Sequence, residues 1–429
     1  MKVDPPTLWH ATGMTGARYA AATGKVETDL LVIGAGFAGL STALHAAQAG
    51  LRVTLLEAER IAWGASGRNA GFVVPNFAKV DPGGVLTLLG PERGAALNLF
   101  AAESADLVFD LVRRHAIDCD ADRSGWIQPA HSSIAFAAIR SRASQWQSLG
   151  RPVEVLDADA VTSLTGITGY HGGLIDRSGG VLNPVSYARG LARAASAAGA
   201  DLHEDSEVTQ LVRSGQGWMA ATRSAQIHAS RVVVATNATP GKLIAGLART
   251  FIPLKVFQVA TMPLPLAVRQ RFLPGNQCVS DTRRNLFTFR FDAENRLISG
   301  GMHIIGLGAN QRIARSIHAR LARRLGLTDL PPLAYAWSGT AAVMPNFLPT
   351  LMDIAPGMIA GFACNGRGIA MTTRLGQEMA RWAQGAPLAD LAVPSRRITP
   401  IALHHMLKLA PQALLPVSMM RDHLDQRKP

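Results

Sequence analysis

The sequence predicts a mixed α/β (α+β) fold, and three observations predict it. An apolar run, Leu30 to Ile33, is followed by Gly34, Gly36 and Gly39 in G-x-G-x-x-G spacing. An alanine-rich stretch, Leu40 to Gly50, and a second apolar run, Arg52 to Leu56, then lead to Glu57. Strand, glycine turn, helix, strand and acid in that order describe a Rossmann-like dinucleotide-binding unit. Far down the chain, Met358 to Ala370 repeats strand, glycine turn and helix. Between the two, Ile252 to Leu264, Asn285 to Phe291 and Arg296 to Gly301 have strand composition, which predicts an interleaved second domain built on an antiparallel sheet.

Each part of the first unit has a mechanical reason. Gly34 permits the tight turn, Gly36 lets backbone approach a pyrophosphate, and Gly39 lets helix and strand pack closely. The helix N-terminus offers free N–H groups to phosphates. Glu57 accepts from a ribose hydroxyl and argues against a 2′-phosphate. Leu30 to Leu51 carries no formal charge and is long enough for a membrane span, but its glycine spacing and following acid favour the nucleotide reading.

Residues 1 to 28 contain Pro5 and Pro6, which forbid a helix there, and are expected to lie over the surface. Glu92 to His115 and Ser133 to Leu149 read as helices. Pro184 to Ala198 reads as a helix closed by Gly199. Trp218 to Arg223 with Gln226 to Ala229 reads as a hairpin, and Arg231 to Ala238 as a buried strand ending in small and polar residues. Leu307 to Leu325 reads as a basic surface helix. The apolar set of Ile398 to Pro429 (Ile401, Leu403, Met406, Leu407 and Leu409) is expected to pack on the body rather than on a membrane.

At 429 residues the chain can hold two or so domains, and 48% apolar with 17% charged residues describes a folded protein. Cys119, Cys278 and Cys364 are few, odd in number and far apart, which provides no zinc or disulfide framework and suits a reducing compartment. No secretory h-region is visible in residues 1 to 28. A cytoplasmic location without a transmembrane segment is therefore expected. The net charge of +13 comes from scattered arginines without a basic run, so nucleic-acid binding is not expected.

Arg60 to Gly71, with Trp63-Gly-Ala-Ser-Gly-Arg-Asn at its centre, is too rich in small residues for a core helix and reads as a loop against a flat or anionic ligand. Together these motifs resemble the FAD-dependent amine and amino-acid oxidoreductases of the D-amino-acid oxidase type, and the loop most resembles the gamma-glutamylputrescine oxidase branch. The resemblance implies FAD, and because the cysteine that some relatives use for covalent attachment has no counterpart around Trp337 to Pro349, noncovalent binding is expected. It assigns cofactor contacts to Gly34, Gly36, Phe37, Ala38 and Gly39 in the first turn, and to Glu57 and Ala58 after the second strand. In the loop it assigns Gly64, Ala65, Ser66, Arg68, Asn69, Ala70 and Gly71. It adds Val208, Thr236, Asn237 and Trp337, and closes with Gly366, Arg367, Gly368, Ile369 and Ala370. It implies an FAD-binding domain of residues 29–75, 151–243 and 341–390, a substrate domain of 76–150 and 244–340, and terminal extensions 1–28 and 391–429.

Two departures from the family pattern matter. Where glycine oxidase-like relatives grip a carboxylate with arginine, this chain has Ala341. Arg290, on the expected sheet over the flavin, is the substitute candidate, against a plain surface arginine. Residues 281 to 303 contain no lysine, the residue that sarcosine oxidase-like relatives use to assist oxygen, so O2 or another electron acceptor is left open. His303 is a candidate base, against a structural histidine. The resemblance implies oxidation of a C–N bond by hydride transfer to flavin N5, giving an imine that hydrolyses. Alternatives are a flavin enzyme acting on RNA bases and a flavoprotein without turnover.

Overall fold

The computed structural model describes residues 7–302 and 309–407. Its first sheet is organised on the strand Gly24–Ile33, where Leu30, Leu31 and Val32 have no solvent exposure. A strand covered on both faces must be apolar without alternation, which is why the sequence runs Leu-Leu-Val-Ile here. It pairs in parallel with Val53–Leu56 on one side and Ala225–Val234 on the other. The order continues outward through Met358–Phe362, Thr350–Ala355 and Ser395–Arg397 on one flank, and Asp201–His203 on the other. Met358–Phe362 is parallel to Ala225–Val234, so the carboxyl ends of Gly24–Ile33, Ala225–Val234 and Met358–Phe362 share one edge.

Two helices start from that edge, Phe37–Gln48 and Gly368–Ala383. They cross closely: a Cβ on Gly376 would collide with Ser41 and with the Ala38 carbonyl. Ser41 Oγ donates to the Thr373 carbonyl at 2.7 Å across this contact. Sequence motifs 330 residues apart are thereby brought side by side.

The second sheet runs Leu333–Val343, Ile252–Pro263, Arg296–Met302, Thr288–Phe291, Cys278–Ser280, Trp126–Pro129, Gly173–Asp176 and Val153–Leu156. The strands expected over 252–301 pair antiparallel, and so does the rest of the sheet except where Cys278–Ser280 pairs in parallel with Trp126–Pro129. The helix Ala309–Leu325 buries Ile313, Ile317, Leu321 and Leu325 against it, at the 3–4 spacing of one helix face.

Several expectations are corrected. Residues 153–156 and 173–176 add strands to the second sheet rather than to the nucleotide-binding part. Cys278 joins them there, which shows how chain segments distant in sequence build this layer. The single helix expected over Glu92 to His115 is two, Pro91–Ala102 and Ser104–Arg114. Ser104 Oγ bonds back to the Ala101 carbonyl at 2.7 Å at the break, offering the backbone a local alternative to continuing. The hairpin expected from Trp218 to Arg223 with Gln226 to Ala229 is present, Gly217–Ala221 pairing antiparallel with Ala225–Val234, but the buried strand expected over Arg231 to Ala238 is the second half of that same strand and ends at Val234.

Residues 10–21 are exposed or half-buried, as expected of a stretch over the surface, but the start of the N-terminal stretch is not. Leu8–Thr12 forms a helical turn just after the prolines, with Leu8 and Trp9 buried. At the other end, Leu403 and Met406 are exposed rather than packed on the body, and Leu409 lies outside the described residues. Among the described residues no helix is long and apolar enough to cross a membrane.

Candidate active site

The shared strand edge opens into one cavity of about 1820 Å³ that reaches from Glu57 to the second sheet. Sites for single drug-sized ligands are about 300–1,000 Å³, so this volume suits a dinucleotide with a substrate beside it.

At the nucleotide end, Gly34 adopts φ 106°, a conformation open to glycine and strained for other residues. A Cβ on Gly39 would collide with the Gly34 carbonyl, so Gly39 serves helix–strand packing and does not itself line the cavity. Glu57 accepts from the Ala35 N–H at 2.7 Å and the Glu59 N–H at 3.1 Å, one on each oxygen. Burial holds its carboxyl above the usual range despite those bonds. Ser66 Oγ accepts from the Phe37 N–H at 3.1 Å and ties the 63–71 loop to the helix start. Gly36, Phe37, Ala38, Ala58, Gly64, Ala65, Ala70, Val208 and Thr236 line the same space.

The loop is held from behind. Arg68 Nε donates to the Trp63 carbonyl at 2.9 Å, and Asn69 Nδ2 to the Ser66 carbonyl at 2.8 Å. Trp9 Nε1 donates to the Asn69 carbonyl at 2.7 Å and Trp337 Nε1 to the Arg68 carbonyl at 3.1 Å. The two indoles meet edge to face, 6.2 Å between centroids. Trp337 therefore positions the loop but does not line the cavity, as its assignment to cofactor contact had implied. Gly71 and Ala370 likewise lie behind the lining.

Arg290 is corrected too. Its Nη1 donates to the carbonyls of Gly71 at 2.8 Å and Leu182 at 2.9 Å, and its Nε to the Phe291 carbonyl at 2.9 Å. The guanidinium lies 5.3 Å from the Trp9 ring centre and does not reach the cavity. Burial lowers its pKa to about 10, and its Nε and Nη1 donors are spent on backbone. It is a brace for the loop, not a substrate clamp. His303 lies outside the described residues.

The remaining turns complete the cradle. Asn237, at φ 47°, accepts from the Ala342 N–H at 3.3 Å, and Asn365, at φ 42°, accepts from the Met344 N–H at 2.8 Å. Asn365 is 7% exposed, and its Nδ2 has no partner although it lines the cavity with Gly366, Arg367, Gly368 and Ile369. A buried donor left unmade costs about 1–3 kcal/mol, so this atom is built for an acceptor the chain lacks. The helix Gly368–Ala383 has no side-chain cap and presents its positive end here. Glycine cradle, ribose-ready carboxylate, uncapped helix end and orphan amide together fit FAD.

The far wall was not foreseen. Lys255, Gln258, Arg142, His131 and Asp281 all line it. Lys255 lies outside the lysine-free stretch 281–303, and its place on the strand Ile252–Pro263, opposite Thr340, brings it to the cavity. Gln258 is 8% exposed and its Oε1 has no hydrogen-bond partner. Gly300, its cross-strand neighbour, leaves it room: a Cβ there would strike the Gln258 amide. His131 Nδ1 and Thr282 Oγ1 are 2.7 Å apart. Ala341 lines the cavity too.

The family model described as FAD dependent oxidoreductase (DAO) matches residues 29–382. The gamma-glutamylputrescine oxidoreductase of Escherichia coli (strain K12) is 29% identical over 386 residues, 87% of this chain and 90% of that protein. Among solved structures, glycine oxidase from Geobacillus kaustophilus superposes with a TM-score of 0.68 at 22% identity, covering 85% of this chain and 97% of that one. L-amino acid deaminase from Proteus vulgaris, with a specific insertion deleted, reaches a TM-score of 0.72 at 18% identity, covering 89% and 95%.

Proposed function

From the premise that the chain belongs to the DAO family of FAD-dependent oxidoreductases, we propose that it oxidises the C–N bond of a small amine or amino acid, the resulting imine hydrolysing in water. The convergence of three strand ends around the orphan Asn365 amide carries this reading, because it leaves one flavin-sized cradle whose open side faces the second sheet. The cofactor, when bound, supplies the two-electron acceptor. What remains for the chain is to hold an amine against it and keep competing groups away.

Gln258 is placed for the first task. Its unpartnered carbonyl oxygen accepts from an amine N–H and orients the nitrogen lone pair, and no general base is required if the amine binds neutral. The E. coli relative, whose name places its chemistry on an amine, supports the substrate class. Noncovalent attachment fits the cysteines. Cys364 lines the cavity, but burial pushes its thiol pKa up and keeps it protonated, a poor nucleophile. Cys119 and Cys278 do not line the cavity.

Anaerobic addition of amines and N-methyl amino acids to the FAD-loaded protein tests the proposal. Bleaching of the flavin band by at least one of them is expected, and readmitting air distinguishes O2 from another acceptor. A purified chain that is colourless and takes up no FAD on reconstitution overturns the reading.

A further inference from the structure

The second sheet has two faces of opposite character. Ile127, Val279, Phe289, Leu297 and Val259 are buried in the apolar layer that includes the helix Ala309–Leu325. Their neighbours along each strand point the other way, as strand geometry requires. There Gln128, Ser280, Thr288, Gly300 and Gln258 line the cavity. Four of the five are polar and uncharged, and the fifth is a glycine.

These residues stand in one row across the strands. Trp126 and Ile127 face Cys278 and Val279, and the same register continued sets Gln128 beside Ser280. Ser280 faces Thr288. Arg290 faces Ile298, which sets Thr288 beside Gly300, and the Gly300 N–H donates to Thr288 Oγ1 at 3.3 Å. Gly300 faces Gln258 in turn. Gln128, Ser280 and Gln258 are at most 8% exposed. Burying polar side chains is costly unless they are bonded, so a sheet face that served only as core would be apolar here.

The row keeps hydrogen-bonding capacity for the cavity, and its sense changes along the row. The Gln258 Oε1 is an acceptor without a partner. Its amide lies over Gly300, where a Cβ would come within 2.5 Å of both Oε1 and Nε2. Thr288 Oγ1 accepts from Gly300, and Ser280 Oγ accepts from Trp126 Nε1 at 2.6 Å, so the proton of each hydroxyl is left for another acceptor. Gln128 Oε1 accepts from Arg142 at 2.6 Å, which leaves its Nε2 as a donor. One acceptor is thus followed by three donors. The Gln258 amide, Thr288 and Ser280 stand one strand spacing apart, about 5 Å each.

We infer that this row determines specificity: Thr288 and Ser280 donate to an uncharged acceptor, an amide or ether oxygen, on the chain of an amine whose nitrogen Gln258 holds. The inference rests on the amine-oxidising reading above and narrows it. The amine N–H meets the acceptor end, and an oxygen about 5 to 10 Å farther along the chain meets the donors. A plain alkyl chain strips water from the two hydroxyls and the Gln128 amide and returns no bond, so it is disfavoured by more than shape. The row itself bears no charge, which suits a neutral oxygen.

The test compares amines of matched shape with and without the oxygen: 3-methoxypropylamine against pentylamine, and 4-aminobutanamide against 4-methylpentylamine. Each is added anaerobically to the FAD-loaded protein. The oxygen-bearing member of each pair is expected to reduce the flavin at roughly 3- to 10-fold lower concentration, the worth of one neutral hydrogen bond. Thr288→Val should abolish most of that ratio, and Thr288→Ser should restore it. Ser280→Ala should lower the ratio of 6-aminohexanamide to 6-methylheptylamine, where the oxygen lies farther from the nitrogen. The same pairs with two methyl groups on the nitrogen-bearing carbon have no hydride to give there. Their binding, followed through the flavin spectrum, should show the same ratios without turnover. If Thr288→Val does not fold, the Ser280→Ala ratio decides. Equal use of both members of each pair, by a protein that is bleached by amines, overturns the proposal and leaves the parent reading standing. So do variants that leave the ratios unchanged or weaken both members alike, because the hydroxyls would then serve the sheet alone. A wild-type chain that binds no FAD, or that no amine bleaches, removes the parent reading first.

Discussion

At the scale of single residues, the support of the flavin loop has a titratable member. His10 Nδ1 is 2.7 Å from Thr7 Oγ1, and its ring packs where a Cβ on Gly67 would stand. Burial, and then the charges of Arg189 and Arg68, lower its pKa from 6.5 to about 4. A depressed histidine pKa means that the unfolded chain takes up a proton the folded one refuses. The associated stability is therefore present above pH 6.5 and is lost as pH falls from 6.5 toward 4. Thermal melts should show Tm dropping between pH 7 and pH 5, and His10→Asn should make that slope shallower. Identical slopes for the two proteins would remove His10 from the account. Nothing in the sequence marked this residue. Gly34 and Gly36 could be read because their requirement is local, a turn with no room for a side chain. The roles of His10, Gln258 and Arg290 depend on neighbours distant in sequence, Gly67, Gly300 and Leu182 among them. Arg290 shows the limit most directly. Its place on the second sheet was right, yet its side chain points to the back of the loop, where Gly71 and Leu182 offer carbonyls.

At the scale of elements, the short helix Leu8–Thr12 carries more than its length suggests. Trp9 fills the space between the loop and the strand Leu333–Val343, meets Trp337 edge to face and donates to the Asn69 carbonyl. A buried tryptophan truncated to alanine costs about 3–5 kcal/mol. Trp9→Ala should lower the urea midpoint accordingly and also weaken FAD retention, since the loop loses a donor and half of its aromatic backing. A variant with reduced stability and unchanged FAD affinity would show that the helix props the body and not the site. The sequence offered only Pro5 and Pro6 in this region, and prolines speak to the residues they occupy, not to the turn that begins two positions later. Strongly periodic or continuously apolar elements were readable, because burial on one face or two leaves a pattern. Val153–Leu156 and Gly173–Asp176, which fall within the stretch 151–243 expected in the nucleotide-binding part, show the opposite: they are apolar enough for either sheet, and only pairing decides.

At the scale of the molecule, charge and cavity act together over different distances. The chain carries +13, and the far wall of the cavity repeats that sign with Lys255 and Arg142. Surface charge draws an anion from solution and is screened within about 10 Å at 0.1 M salt, whereas a grip inside the cavity is screened much less. The two contributions separate under salt. From about 20 to 500 mM NaCl, kcat/KM for a carboxylated amine should fall several-fold as steering is lost, with kcat unchanged. Whatever advantage over the matched uncharged-tail amine survives belongs to basic groups that line the cavity, such as Lys255 and Arg142. Complete loss of that advantage at high salt would assign the selectivity to the surface alone. Full insensitivity to salt would mean that the net charge plays no part in capture, and that the basic residues outside the cavity answer to solubility rather than to substrate.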